Sequence, residues 1–221
     1  TARLSGCAYH PRFSLIATLA ERACTEMTVM PRNLLLLAAS ASLLAVPAPA
    51  AAPPFDTAAP VAFMKDLSSG AILYAKDADR RMPPASMSKM MTAYLIFQRL
   101  KNGQLKLDDT FPVSENAWRT GGSASGGSTM FLKLDDRVSV DDLLRGIIIQ
   151  SGNDASIVIA EGLAGSETAF AEQMTKGAHA IGMTSSTFRN ATGLPDPEEM
   201  TTVRDLATLA KLLGHGCKPA C

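Results

Sequence analysis

The body of this chain contains no cysteine: Cys7 and Cys24 lie near its start, and Cys217 and Cys221 fall in the last five residues. A disulfide frame is thereby excluded from the long middle, which must rely on its core. Neither sign of charge is in excess, since 21 Lys+Arg face 21 Asp+Glu for a formal net charge of zero. With no broad basic surface, nucleic acid is excluded as an expected partner. There are no internal repeats, and no apolar run is long enough to span a bilayer comfortably; the strongest is Leu34 to Val46. What is present is an ordinary globular balance, 47% hydrophobic and 19% charged over 221 residues. That fits one sizeable domain plus a targeting segment.

The run Leu34–Val46 follows Met30-Pro31-Arg32-Asn33 and leads into Pro47-Ala48-Pro49-Ala50. A short positive start, an apolar stretch and small residues at an Ala-x-Ala site make a secretory signal over residues 30–50, with cleavage expected near Ala50 or Ala52. Residues 1–29 then read as upstream translation rather than structure. Export past the cytoplasmic membrane, to the periplasm or the membrane's outer face, is the expected location. No membrane anchor is visible, so attachment stays open.

In the remaining chain, Val61–Lys65 and Ala71–Ala75 are apolar runs separated by a Gly-ended loop, which predicts a hairpin. A helix is expected from Ser86 to a stop near Gly103, with Met90, Tyr94, Leu95 and Phe97 on its buried side. Ser139 predicts the cap of a second helix, with acids in its first turn. A third runs from Asp154 to Leu163, closed by Gly165. A fourth carries Phe170, Met174, Ala178 and Ile181 on one face. Thr202 and Asp205 resemble a capping box for a fifth, with Asp in place of Glu or Gln. Gly121–Ser128 reads as a flexible Gly/Ser stretch, and Asn190–Glu199 as a loop. A hairpin followed mostly by helices suggests the α+β class.

Two short constellations can carry chemistry. Ser86-Met87-Ser88-Lys89 places a serine and a lysine one turn apart at a helix start. A lysine whose pKa is lowered towards neutrality can take the serine proton, and N–H groups at the positive helix end can hold a developing oxyanion. The alternative is an ordinary N-cap serine beside a surface lysine. Ser151-Gly152-Asn153 lies between two expected helices. There Ser151 can pass a proton and Asn153 can hydrogen-bond a substrate amide. The alternative is a helix-to-helix turn with Asn153 as the next cap.

S-x-x-K followed by S-[DG]-N is the beginning of the pattern of penicillin-binding proteins and class A β-lactamases, which K-T-G completes. Pro84-Ala85-Ser86-Met87-Ser88-Lys89-Met90-Met91-Thr92 resembles the nucleophile segment of the serine-type D-alanyl-D-alanine carboxypeptidases, the low-molecular-mass penicillin-binding proteins. Gly127–Leu132, Asp142-Leu143-Leu144, Gln150–Ala155, Asn190–Asp196 and Thr201–Ala207 are similar to that family too. The likeness runs from about Val61 to Leu213.

The resemblance implies a β-lactamase/transpeptidase-like fold, a helical cluster against an antiparallel sheet that is expected to lack its C-terminal strands here. It implies Ser86 as the nucleophile on the carbonyl between two D-alanines, Lys89 as general base, Ser151 as proton relay and Asn153 as a substrate-positioning group. The substrate is then a peptidoglycan stem peptide ending in D-Ala-D-Ala, with β-lactams as covalent inhibitors. No metal or organic cofactor is implied. Cys217 and Cys221 superficially suggest paired metal ligands, but lack a second pair.

K-T-G does not occur after Asn153, where Lys176, Lys211 and Lys218 are followed by Gly-Ala, Leu-Leu and Pro-Ala. Residues 51–213 therefore read as an incomplete domain with impaired activity. Residues 214–221 read as an aberrant tail, from a frameshift or the end of a gene fragment, with His215 inert. Two other readings are a non-catalytic peptidoglycan- or β-lactam-binding remnant and a β-lactamase on the same scaffold. Against the latter, no deacylating glutamate has a counterpart here.

Overall fold

The computed structural model of the chain describes residues 56–216. The expected signal, the stretch before it, and Cys217 and Cys221 lie outside the described residues. The hairpin is present: β1 (Ala62–Lys65) pairs antiparallel with β2 (Ile72–Lys76), with Phe63 opposite Ala75 and Met64 opposite Tyr74. A 3₁₀ turn over Ala85–Met87 leads into α1 (Ser88–Lys101). The α-helix thus begins two residues later than the expected start, and Ser86 sits inside the tight turn before it.

Next comes a second antiparallel pair that the alternation of residues did not reveal, β3 (Thr110–Pro112) with β4 (Arg137–Ser139). Three residues per strand are too few to show a period of two. Between them lies the Gly/Ser stretch. A π-turn at Ala117–Gly121 leads into it, and a 3₁₀ turn at Ser123–Ser125 lies within it. Gly121 is buried, and a Cβ there would stand 2.5 Å from the Asp154 backbone nitrogen. The glycine at 121 therefore permits a close backbone approach.

Four helices follow: α2 (Val140–Gln150), α3 (Asn153–Ala164), α4 (Glu167–Ala180) and α5 (Val203–Gly216). The Ser139 hydroxyl accepts the Asp142 N–H at 3.1 Å, so the expected cap of α2 forms. Thr202 caps α5 in the same way, accepting the Asp205 N–H at 3.1 Å. The box closes on one side only, because the Asp205 carboxylate turns to Ser185 N–H and the Ser186 hydroxyl instead.

The buried side of α1 differs from the expected one. Ser88, Lys89, Met91, Thr92, Ala93 and Ile96 are buried, while Met90, Tyr94, Leu95 and Phe97 are only half-buried. Apolarity alone misplaces this face because its first turn is polar and meets the loop before α5.

α3 is the central helix. Every residue from Asn153 to Ala160 is buried, as a helix apolar nearly all round should be. One core cluster joins Ile96 with Leu143, Leu144 and Ile147 of α2 and Ile157, Val158 and Ile159 of α3. A second joins Met91 with Ala160, Phe170, Met174, Ala178 and Leu209. Each large side chain so enclosed contributes about 1.5–3 kcal/mol. The two clusters clamp α1 from both sides and fix the position of its N-terminus.

Candidate active site

Ser86 caps nothing. The N-cap positions of the 3₁₀ turn and of α1 are Pro84 and Met87, neither with a side-chain cap bond. Its hydroxyl is exposed, and its one hydrogen-bond partner among the described residues is the Lys89 ammonium, with Nζ 3.4 Å from Oγ. The residue before it, Ala85, holds a left-handed φ of 49°. A non-glycine residue there costs on the order of 1 kcal/mol, and such strain concentrates where a side chain is presented for chemistry. These features disfavour the reading of Ser86 as an ordinary cap.

Lys89 is only 5% exposed. Its Nζ donates to the Thr192 carbonyl at 2.6 Å. Burial lowers its pKa from 10.5 to about 8, against a smaller upward pull from the charge of Glu199. With one N–H directed at Thr192, the neutral amine can turn its lone pair to Ser86 Oγ. The 3.4 Å separation must close by a few tenths of an ångström for proton transfer, as free enzymes commonly require. Because the folded pKa lies below the unfolded one, the folded chain binds fewer protons between pH 8 and 10.5. Stability should therefore rise with pH across that window, and urea titrations at its two ends check the sign.

The carbonyl that receives Lys89 is fixed by its own turn. Asn190 Oδ1 accepts from Thr192 N–H, the Thr192 hydroxyl and Gly193 N–H. Thr92, one turn beyond Ser88 on α1, donates to the Ala191 carbonyl at 2.8 Å. Glu167 of α4 accepts the Ala191 N–H at 3.0 Å. Gly193 has φ 80°, and a Cβ on it would stand 1.8 Å from the Ala85 carbonyl oxygen. Only glycine lets the turn lie this close to the Ala85–Ser86 backbone.

Ser151 and Asn153 sit at the α2–α3 junction. Ser151 ends α2 with a left-handed φ of 54°, and Gly152 N–H closes the turn onto the Gly146 carbonyl at 2.9 Å. Asn153 is the first residue of α3 rather than its cap; the cap position is Gly152. No hydrogen bond joins the side chain of either residue to Ser86 or Lys89 among the described residues. The structure joins Ser86 and Lys89 by a hydrogen bond and holds Ser151 and Asn153 in a well-fixed turn of their own.

What fixes that element is Asp154, which the sequence did not single out. Its carboxylate, fully buried, accepts from the Thr129 hydroxyl at 2.6 Å and from the N–H groups of Met130, Leu132 and Ala155 at 3.0, 3.1 and 2.9 Å. Asn153 N–H adds a bond to the Ser128 carbonyl at 2.8 Å. The segment Ser128–Leu132 is thereby pinned beside Ser151–Asn153. Asp154→Asn would turn amide hydrogens towards donors and leave buried groups unpaired. A loss of roughly 3 kcal/mol is expected, read as a lower midpoint in urea.

Glu199 was missed as well. It is 2% exposed, whereas its neighbour Glu198 is exposed and pairs with Arg189 at 3.3 Å. Adjacent identical residues with opposite fates give a sequence reader no signal.

A serine in the turn before α1, unused for capping, thus faces a buried lysine of lowered pKa, an arrangement able to support serine acyl-enzyme chemistry. Residues 47–220 match the D-alanyl-D-alanine carboxypeptidase family, and the chain belongs to it. D-alanyl-D-alanine carboxypeptidase DacC of Escherichia coli (strain K12) is 45% identical over 153 residues, 69% of this chain and 38% of that one. The crystal structure of the D-alanyl-D-alanine carboxypeptidase DacD from Francisella tularensis superposes with a TM-score of 0.71 at 39% identity, over 76% of this chain and 40% of that one. Penicillin-binding protein 5 from Haemophilus influenzae gives a TM-score of 0.72 at 36% identity, over 76% and 48% of the two chains. The fold is therefore the α+β fold of the penicillin-binding proteins. The chain spans about two-fifths of the length of the curated relatives it matches.

Proposed function

We propose that this chain carries the acylating site of a serine-type D-alanyl-D-alanine carboxypeptidase acting on peptidoglycan stem peptides. The observation that carries the reading is the exposed, uncapped Ser86 hydroxyl facing a buried Lys89 whose pKa lies near 8. Ser86 Oγ attacks the carbonyl carbon between the two D-alanines while its proton passes to Lys89 Nζ. The C–N bond then breaks, the leaving D-alanine amine takes a proton through Ser151, and Asn153 holds the substrate amide. Water releases the shortened peptide from Ser86. A β-lactam presents a comparable strained amide and would acylate the same oxygen. The name of the Haemophilus relative supports that inhibitor class.

Residues 30–50 act as the signal in this reading, and the working location is the periplasm or the outer face of the cytoplasmic membrane. Among the described residues, no helix is long and apolar enough to cross a membrane. The test is release of D-alanine from a synthetic peptide ending in D-Ala-D-Ala, by this chain and by Ser86→Ala. Release that disappears in the variant supports the carboxypeptidase. Ser86-dependent penicillin labelling without any release points instead to a binding remnant.

The pH profile supplies a second check. A general base must be neutral, so acylation should climb through a limb centred near pH 8. At pH 6 the rate should be about 100-fold below the plateau, two units down a single-proton titration. A flat profile between pH 6 and 9 would remove Lys89 from the role of base.

A further inference from the structure

Glu199 lies just before the Met200–Thr201 bridges, one hydrogen bond from the segment that holds the nucleophile. One carboxylate oxygen accepts from the hydroxyl of Ser88, the buried residue between Ser86 and Lys89. The other accepts from Arg189 N–H and Asn190 N–H at 3.2 Å and from Asn190 Nδ2 at 2.7 Å. Three of the four partners are N–H donors and the fourth is a hydroxyl, so the hydrogen bonds favour the ionised carboxylate, while burial pulls its pKa above the ordinary glutamate value. The same Asn190 side chain holds Thr192 and Gly193 through its oxygen. A continuous path therefore runs from Ser88 through Glu199 and Asn190 to the Thr192 carbonyl, and so to Lys89 Nζ.

We infer that Glu199 is a positioning residue for acylation: it ties the Asn190–Gly193 turn to Ser88 and so holds Lys89 and Ser86 in register. This inference rests on the acyl-enzyme reading above and names a residue to which that reading gives no part. Glu199 never touches the reacting atoms. It acts in two ways, through geometry and through charge. Geometrically, it closes the frame between the nucleophile turn and the loop whose carbonyl receives Lys89. Electrically, it is a buried negative charge that favours the protonated form of Lys89 and partly offsets desolvation. The other charges near it are Asp196 on the same loop and Glu167 on α4, both negative. The exposed Arg189 guanidinium is taken up by Glu198. Lys89 on α1 is the cation that feels the charge of Glu199.

The two actions separate in one experiment. The rate of Ser86 acylation by a fluorescent penicillin is followed against pH for the wild type, Glu199→Gln, Glu199→Asp and Ser88→Ala. Removing the charge in Glu199→Gln should move the limb about one pH unit to the acid side, because Lys89 then loses its proton more easily. The plateau should fall about 10-fold as the frame loosens. Glu199→Asp keeps the charge on a shorter arm, so its limb should return to the wild-type position while the plateau stays low. Ser88→Ala cuts the tether and leaves the charge, and should lower the plateau several-fold without moving the limb. A residue needed only for packing would lower the plateau and leave every limb in place, and that outcome overturns the inference. So does Glu199→Gln with a wild-type profile. If Glu199→Gln does not fold, Ser88→Ala with a wild-type plateau overturns it by itself. A wild type that is never labelled at Ser86 overturns the acyl-enzyme reading and the inference together. Labelling in the wild type with unchanged variants overturns the inference alone.

Discussion

Replacing Lys89 with methionine should lower acylation of Ser86 by about 10³-fold at pH 8, the range expected when a positioned base is removed. Methionine has nearly the same length and is at ease in a buried site, so packing changes little. What goes is the only side chain hydrogen-bonded to the Ser86 hydroxyl among the described residues, and the donor to the Thr192 carbonyl. The residual rate should also lose the limb near pH 8, because the group that titrates there is absent. Stopped-flow labelling with a fluorescent penicillin at several pH values reads both effects. A residual rate that still climbs through pH 8 would assign the base to another group.

Gly193→Val should be nearly as damaging, although residue 193 performs no chemistry. A Cβ at 193 would overlap the Ala85 carbonyl oxygen at 1.8 Å and its carbon at 2.3 Å. It must also hold φ near 80°, which a β-branched residue resists. The overlap is with backbone, so no side-chain rotamer can relieve it. The turn must lift away from Ala85 and carry the Thr192 carbonyl with it. Misplacement by about 1 Å can cost 10²-fold in rate. Backbone strain and overpacking together should cost about 3 kcal/mol of stability. Gly193→Ala should show the same two effects in smaller measure. Thermal melts and acylation rates measured on both variants check the order. A valine variant with wild-type melting would mean that the turn does not lie on the nucleophile segment.

The helices were legible because their signals are local. Ser139, Gly165 and Thr202 mark ends by capping and left-handed geometry, and Phe170, Met174 and Ala178 form the expected buried face of α4, while Ile181, expected with them, falls just past the helix end and is half-buried. The hairpin was readable for the same reason, from two apolar runs around a Gly-ended loop. The first turn of α1 was not. Ser88, Lys89 and Thr92 are buried polar residues whose burial depends on a loop about a hundred positions away, and no window of local sequence contains that partner.

The candidate site divides along the same line. Ser86 and Lys89 stand one turn apart, so their spacing alone suggested chemistry, and the structure places them together. Ser151 and Asn153 were suggested by their residue types between two expected helices and given roles by the resemblance, and the structure shows how their turn is fixed. Asp154, Thr192, Gly193 and Glu199 act through backbone groups or long-range hydrogen bonds. Thr192 contributes a carbonyl that any residue could supply, so its identity could not reveal the role. Asn190–Asp196 was noticed as a family-like segment, but its job of holding the lysine is a property of the fold.

The central claim is that Ser86 is a nucleophile activated by Lys89. Its most direct measurement is mass spectrometry of the chain after brief exposure to benzylpenicillin, with peptide mapping of the adduct. The account predicts one added penicilloyl group, carried on the peptide containing Ser86 and absent from Ser86→Ala. An adduct on another residue, or one that persists in Ser86→Ala, would contradict it.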